Sequence, residues 1–227
     1  MKTAASGSGF FVSKEGHLVT NNHVINHCYE VKFKHAGEVM DATVVARDRV
    51  NDLALLKTGL KDPTTLPISS SNPALLQDIY AAGFPFGSSI SASVKVTKGI
   101  VSSLSGVADN FSNVQIDAAL QPGNSGGPIV DEYGNAVAVA VAKLDLEKII
   151  ETFGVVPENT NFGIKATVVR NLLDGVGIQL TRPNTTKLSG VQLGQRITES
   201  TVRLSCLMTM AQIEEVRDQK VLFTEFD

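Results

Sequence analysis

Short runs of apolar and β-branched residues, separated by Gly, Pro, Asn and Ser, fill the chain as far as about residue 142. Runs of this length that are bounded by turn residues are typical of β-strands. The pattern predicts strands at 10–13, 17–20, 31–34, 39–46, 53–57, 79–82, 93–97, 99–102, 114–117, 128–130, 136–142 and 161–165. Many short strands at regular spacing favour an all-β sandwich or barrel.

Helical spacing is confined to the later part of the chain. It predicts helices at 167–173 and 211–221, and a helical insertion within a loop at 144–153. The segment 62–71 is rich in Pro, Thr and Ser, and we interpret it as a linker between two β-rich halves.

The composition is that of an ordinary globular protein, with 227 residues, 43% apolar residues and 19% charged residues. The net charge of -3 provides no basic field, so we do not expect nucleic acid as a partner. There is no run of about 18 apolar residues, so we expect no membrane span. Residues 1–6 are too short and too polar for a secretory signal. Either the protein stays where it is made or, as we favour, a processed or engineered start has replaced a longer one.

The two cysteines, Cys28 and Cys206, lie far apart in the sequence. A disulfide between them would close a long loop and stabilise the fold by about 3–5 kcal/mol. Two unrelated buried thiols are an equally open interpretation, because sequence alone cannot show that two cysteines meet. No histidine spacing near them completes a zinc site, so no metal is predicted.

The segment 121–128, Gln-Pro-Gly-Asn-Ser-Gly-Gly-Pro, is the sharpest local motif. A serine hydroxyl becomes a good nucleophile when a base takes its proton and N–H donors stabilise the oxyanion that forms. Ser125 is the candidate nucleophile, and the turn formed by Gly123, Asn124 and Ser125 is the candidate oxyanion hole. The alternative is a glycine-rich turn that contains an incidental serine.

A histidine suited to act as the base follows a predicted strand in the segment 20–25, Thr-Asn-Asn-His-Val-Ile. His23 is flanked there by small polar residues that leave room around the imidazole. The other histidines lack such surroundings, and we expect structural roles for His17, His27 and His35.

The carboxylate that would orient this base directly precedes an apolar strand. An aspartate in that position is partly buried and needs a hydrogen-bonded partner, for which the Nδ1–H of His23 is suited. Asp52 fits this description, whereas its competitors Asp41 and Asp48 do not directly precede a strand. The resulting order of His, Asp and Ser is the order of chymotrypsin-type enzymes.

Several motifs in this order resemble the HtrA (Deg) branch of trypsin-like serine proteases over residues 7–173. Two of them are the histidine segment 20–25 and the serine segment 123–128 described above. The others are Gly-Ser-Gly-Phe at 7–10, Asp-Leu-Ala-Leu-Leu-Lys at 52–57, Gly-Phe-Pro-Phe-Gly at 83–87 and Thr-Lys-Gly-Ile-Val-Ser at 97–102. The resemblance implies an all-β fold of two six-stranded antiparallel barrels with the catalytic triad in the cleft between them. It also implies cleavage of partly unfolded polypeptides without a metal or other cofactor, and a periplasmic or secreted location.

On this basis we expect an N-terminal barrel at 1–66, a C-terminal barrel at 67–175, and a helical and strand extension at 176–227 that packs on the protease domain. About fifty residues follow Leu173, too few for the PDZ domain that HtrA proteins usually carry, so we expect a protease domain without PDZ. The chain starts near the first barrel strand, without the segment through which many relatives trimerise, which leaves the oligomeric state open.

Asn124 stands where digestive relatives carry an aspartate that pairs with a freed N-terminus. Activation by N-terminal cleavage is therefore not expected, and activation by loop rearrangement is the favoured hypothesis. A non-catalytic or loop-gated binding module on the same fold is the alternative function.

The residues expected to bind substrate surround the nucleophile in this alignment. They are Ala119, Leu120, Val141, Ala142, Lys143, Phe162, Gly163 and Ile164. Ala119 stands at the expected floor of the S1 pocket, where an Arg or Lys side chain would need a carboxylate, so the resemblance predicts a small aliphatic P1 residue. Lys143 stands where relatives hold an apolar residue, and it either points outward or favours polar or acidic P1 residues.

Overall fold

Twelve strands and three α-helices make up the regular structure of residues 1–86, 93–142 and 159–224, which this computed structural model describes. The strands are β1 (Lys2–Phe11), β2 (His17–Thr20), β3 (Glu30–His35), β4 (Glu38–Asp48), β5 (Leu53–Thr58), β6 (Asp78–Gly83), β7 (Lys95–Ser103), β8 (Asn113–Ile116), β9 (Pro128–Val130), β10 (Ala136–Val141), β11 (Asn161–Lys165) and β12 (Thr201–Met208). The helices are α1 (Ala166–Gly175), α2 (Gly190–Ser200) and α3 (Met210–Thr224), with a 3₁₀ turn at Val107–Asp109.

The strands close into two barrels. The first has the order β1-β12-β3-β4-β5-β2 and the second the order β10-β11-β8-β7-β6-β9. All pairings between these strands are antiparallel. The predicted fold class, an all-β protein with two six-stranded barrels, is confirmed.

The C-terminal segment differs from the expected extension, because part of it forms one strand of the first barrel. Strand β12 pairs with β1 on one side and with β3 on the other. Its side chains alternate between half-buried and buried positions, and Val202, Leu204, Cys206 and Met208 are buried. This period of two is the pattern of a strand with one face on a core. Segment 1–66 therefore supplies five of the six strands of this barrel.

A disulfide fixes the same strand. Cys28, in the loop before β3, is joined to Cys206, with 5.2 Å between their Cα atoms. The bond links positions separated by 178 residues in the sequence. It ties β12 to the part of the first barrel that follows His23.

The strands expected at 93–97 and 99–102 form one strand, β7. Gly99 does not interrupt it, because the residue pairs with Ile79 within a continuous ladder with β6. The space beside its Cα is occupied by the Asp117 side chain and the Ala118 backbone. Glycine is therefore needed here for close approach of two backbones and not for a turn.

Buried apolar residues form one cluster inside each barrel and a third cluster between them. The third includes Phe10 and Leu53 from the first barrel and Val139 and Ile164 from the second. Helices α1 and α2 also pack on it, through Val169 and Leu173 and through Leu193 and Ile197. The two barrels thus share a core, which holds the loops at their junction in a fixed relation.

Two of the three predicted helices fall within α1 and α3, whereas the one at 144–153 lies outside the described residues. Helix α2 was not predicted, although Ser189 and Gln192 form a capping box at its start. Within the described residues, no helix is both long and apolar enough to cross a membrane.

Candidate active site

The pairing of two strands of the first barrel brings His23 and Asp52 together. His23 follows β2, and Asp52 immediately precedes β5, and the two strands pair with Thr20 opposite Ala54. The Nδ1 of His23 lies 2.6 Å from Oδ2 of Asp52, and the His23 backbone N–H donates to Oδ1 at 2.8 Å. Because a carboxylate only accepts, the first contact assigns the ring proton to Nδ1 and leaves Nε2 free to accept a proton.

The backbone of Asp52 is held as firmly as its side chain. Its φ of 53° lies in the left-handed region, which aspartate tolerates better than most residues. Its carbonyl accepts hydrogen bonds from Asn21 Nδ2 at 3.0 Å and from the Asn22 N–H at 3.1 Å. The chain segment that precedes His23 is thus bonded to the residue that orients it.

The two competing aspartates have other partners. Asp41 pairs with Lys32 on the surface of the first barrel. Asp48 accepts the backbone N–H of Asn51 at 2.9 Å and its side-chain amide at 2.6 Å, and so stabilises the turn before Asp52. Burial alone would raise the pKa of Asp48, but these hydrogen bonds outweigh it and lower the pKa.

Two of the other three histidines pack as structural residues. His17 is buried with its Nδ1 2.6 Å from the Ser13 hydroxyl, and its pKa is lowered by burial and, secondarily, by Lys57. The ring of His35 meets Phe11 edge to face, with 5.7 Å between the ring centroids.

The segment 121–127 forms a tight turn between β8 and β9, with Ser125 near its end. The Asn124 N–H donates to the Gln121 carbonyl and the Gly127 N–H to the Asn124 carbonyl, both at 2.9 Å. Gly123 and Gly126 have φ values of 104° and 83°, which favour glycine. Within the described residues, the Gly123 and Ser125 N–H groups have no acceptor, so both donors of the predicted oxyanion hole are available.

Ser125 is 5% exposed, and its side chain lies beside the end of β10. The Gly126 N–H donates to the Ala140 carbonyl at 2.9 Å, which places β10 along the turn. The Ala142 N–H donates to Ser125 Oγ at 3.2 Å. Among the described residues, the His23 ring is hydrogen-bonded to Asp52 and not to Ser125.

Strand β1 connects the histidine segment with the nucleophile turn. The Ser8 N–H donates to the Ser125 carbonyl at 2.8 Å, and Thr20 Oγ1 donates to the Ser8 carbonyl at 2.7 Å. A Cβ on Gly7 would lie 2.6 Å from the Val24 side chain and 3.0 Å from the Ser125 carbonyl oxygen. The residue that follows His23 and the backbone of Ser125 therefore meet at the same point of β1.

Part of the predicted substrate pocket surrounds this turn. Val141 and Ala142 are half-buried at the end of β10, and Phe162 pairs with Val141 across the sheet. Ala119 is exposed, and its carbonyl accepts a hydrogen bond from Thr97 Oγ1 at 2.9 Å. Lys143 lies outside the described residues.

Three other predicted pocket residues point into cores. Leu120 is 8% exposed and packs in the cluster inside the second barrel, and Ile164 is 1% exposed in the cluster between the barrels. A Cβ on Gly163 would contact the Ile129 side chain, so this position faces the interior of the second barrel. Successive residues of β11 lie on opposite faces, so Gly163 and Ile164 face different interiors.

No group of three or more His, Cys, Asp or Glu side chains that could hold a metal ion occurs among the described residues.

The chain matches the family model of the trypsin-like peptidase domain over residues 7–139, which is more than half of its length. The chain belongs to the trypsin-like peptidase family. It is 33% identical to the periplasmic serine endoprotease DegP of Escherichia coli over 187 residues, which cover 79% of this chain and 36% of DegP.

Two further relatives and one solved structure are similar to this trypsin-like peptidase. It is 35% identical to a probable periplasmic serine endoprotease, DegP-like, of Chlamydia pneumoniae, over 62% of this chain and 29% of that protein. It is 35% identical to an uncharacterized protein of Sinorhizobium fredii, over 89% of this chain and 32% of that protein. The crystal structure of the serine endoprotease from Yersinia pestis superposes with a TM-score of 0.63 at 27% identity, over 76% of this chain and 58% of that one. The predicted resemblance to HtrA (Deg) proteases is confirmed.

The peptidase chain spans about a third of the length of these curated relatives. Sequence reasoning missed one residue of its site, Ser8, which contacts the nucleophile turn. The available signal was a small polar residue between two glycines at the start of an apolar run, in the segment 7–10.

Proposed function

We propose that this chain is a serine endopeptidase that uses Ser125 as nucleophile, His23 as general base and Asp52 to orient the base. The observation that carries the proposal is the two-point contact of Asp52 with the side chain and the backbone of His23, at 2.6 and 2.8 Å. This contact leaves Nε2 of the imidazole as the proton acceptor, as the reaction requires. The available N–H groups of Gly123 and Ser125 support it.

The chemistry follows from these groups. The Ser125 Oγ attacks the carbonyl carbon of the scissile peptide bond while its proton passes to His23 Nε2. The carbonyl oxygen becomes an oxyanion that the turn of Gly123, Asn124 and Ser125 stabilises through its N–H groups. The intermediate expels the amine, which takes the proton from His23, and leaves an acyl-enzyme. Water then attacks the ester by the same route and releases Ser125.

The proposed substrates are partly unfolded polypeptides, and the proposed role is protein quality control outside the cytoplasm. The names of the relatives place those proteins in the periplasm. The disulfide between Cys28 and Cys206 supports an oxidising compartment for this chain, because such bonds persist there. The net charge of -3 gives no reason to propose a nucleic-acid partner.

A second candidate is a loop-gated module that binds polypeptides and does not cleave them in this conformation. The observation in its favour is the Ala142 N–H, which donates to Ser125 Oγ in place of a bond between Ser125 and His23. In the active form the Ser125 hydroxyl must turn toward Nε2. Labelling by a fluorophosphonate probe separates the two candidates, since rapid labelling without added peptide supports the first.

We expect digestion of unfolded casein, with cuts after small aliphatic residues. Ala119 supplies no negative charge, and the nearby Asp117 accepts the Ile100 N–H at 2.6 Å. Sequencing of the fragments by mass spectrometry gives the residue before each cut. Predominant cleavage after Arg or Lys would contradict the pocket assignment, and intact casein would contradict the proposed function.

We expect cleavage to be slower at acidic pH than at neutral pH, because a protonated imidazole cannot take the proton of Ser125. The measurement is kcat/KM for one peptide from acidic to neutral pH, in buffers of constant ionic strength. A rate that stays flat across the range would argue against an imidazole base.

A further inference from the structure

The side chain of Ser8 joins the first barrel to the nucleophile turn. Ser8 lies in β1 and is fully buried. Its hydroxyl donates to the Gly123 carbonyl at 2.7 Å and accepts the Phe84 N–H at 3.0 Å. These contacts come in addition to its backbone bond to the Ser125 carbonyl.

The two Ser8 bonds fix the turn on both sides of the nucleophile. The hydroxyl holds the carbonyl of Gly123, and the backbone N–H holds the carbonyl of Ser125. The carbonyl between them, that of Asn124, accepts the Gly127 N–H. The Gly123 and Ser125 N–H groups share their peptide planes with the Pro122 and Asn124 carbonyls, which accept the Phe86 and Gly127 N–H groups. The Gly123 carbonyl that the Ser8 hydroxyl holds belongs to the peptide plane between these two. With all three planes held, the directions of the Gly123 and Ser125 N–H groups are set.

The space between the hydroxyl and Gly83 is filled. A Cβ on Gly83 would lie 2.8 Å from Ser8 Oγ and 2.9 Å from Asn124 Oδ1. On the far side of the turn, the Phe86 N–H donates to the Pro122 carbonyl at 2.8 Å. Loss of the hydroxyl would therefore leave the Phe84 N–H and the Gly123 carbonyl buried without this partner.

We propose that the Ser8 hydroxyl is a positioning group for the oxyanion hole, which aligns the N–H donors of Gly123 and Ser125 without touching substrate. This proposal rests on the proposed function. An oxyanion hole acts on the transition state and not on the bound substrate, so misaligned donors lower kcat and leave KM nearly unchanged.

The test is Ser8→Ala, assayed for kcat and KM on a peptide and for the affinity of a peptide aldehyde, whose adduct places an oxyanion in the hole. We expect kcat about tenfold lower, KM within about twofold of wild type, and aldehyde affinity about tenfold weaker. The matched control is Ser69→Ala, because the Ser69 hydroxyl is also nearly buried, donates to a carbonyl (Ser71) and accepts an N–H from the same residue. It should match wild type.

Ser8→Thr keeps the hydroxyl while adding a methyl group, and it separates hydrogen bonding from packing. We expect its kcat within about threefold of wild type. An unchanged kcat in Ser8→Ala, or an equal loss in Ser8→Thr, would overturn the role of the hydroxyl while leaving the proposed function intact. A wild-type protein that neither labels with a fluorophosphonate nor cleaves peptides would overturn both proposals.

Discussion

Ser125→Ala is expected to lower the rate of peptide cleavage by roughly 10⁴- to 10⁶-fold, because the acyl-enzyme cannot form without the hydroxyl. The same variant should lose all labelling by a fluorophosphonate. Binding of peptides should persist, since the turn and β10 keep their backbone contacts through Gly126 and Ala140. The measurements are initial rates on a fluorogenic peptide and in-gel detection of the probe.

The partners of the nucleophile give a second arm of this experiment. Asp52→Asn should cost about 10⁴-fold in kcat, because an amide can no longer hold the imidazole in the tautomer with the proton on Nδ1. Asp41→Asn is the matched control, since Asp41 forms an exposed ion pair with Lys32 away from the site. Ser70→Ala, at an exposed serine, is the control for Ser125→Ala. Labelling that survives in Ser125→Ala would show that another residue is the nucleophile.

A chain that ends at Ser200 is expected to have no cooperative unfolding transition. It lacks β12, so β1 and β3 lose their partner and the first barrel stays open. It also lacks four buried apolar side chains, Val202, Leu204, Cys206 and Met208. At about 1.5–3 kcal/mol for each large apolar side chain, this loss approaches the whole stability of a typical domain, about 5–15 kcal/mol.

Loss of the disulfide adds to this effect, because a loop of 178 residues contributes roughly 5 kcal/mol in the chain-entropy model. The measurement is urea unfolding followed by circular dichroism. A chain that ends at Thr209 is the matched control, since it removes α3 and keeps β12. The control should keep the transition of the full chain within about 1 kcal/mol, because β12 and its pairing with β1 and β3 stay in place. A cooperative transition of normal size in the shorter chain would show that β12 is dispensable.

The sequence alone allowed the groups of the candidate site to be predicted because each has a local signature. The serine lies in a glycine-rich turn, and His23 and Asp52 each adjoin the end of an apolar strand. Their meeting then depends on the pairing of β2 with β5, which the order of the motifs made readable. Whether Leu120 and Ile164 face a pocket or a core depends on strand register and barrel curvature, which these local signatures do not contain.

Strand β12 shows why part of the fold was not predicted. Residues 201–208 alternate in the manner of a strand, but their partners in β1 and β3 are encoded far away in the sequence. The role of Ser8 has the same origin, since the Gly123 carbonyl that it holds is 115 positions away. Both features depend on contacts between distant segments, for which a local pattern carries no information.

The position of β12 also has a consequence for biosynthesis. A ribosome makes β12 after all the other described strands, so the barrel that holds His23 and Asp52 cannot close while the rest of the chain is being translated. A nascent chain would therefore complete its second barrel before its first, and the candidate site would be the last part of the fold to be finished.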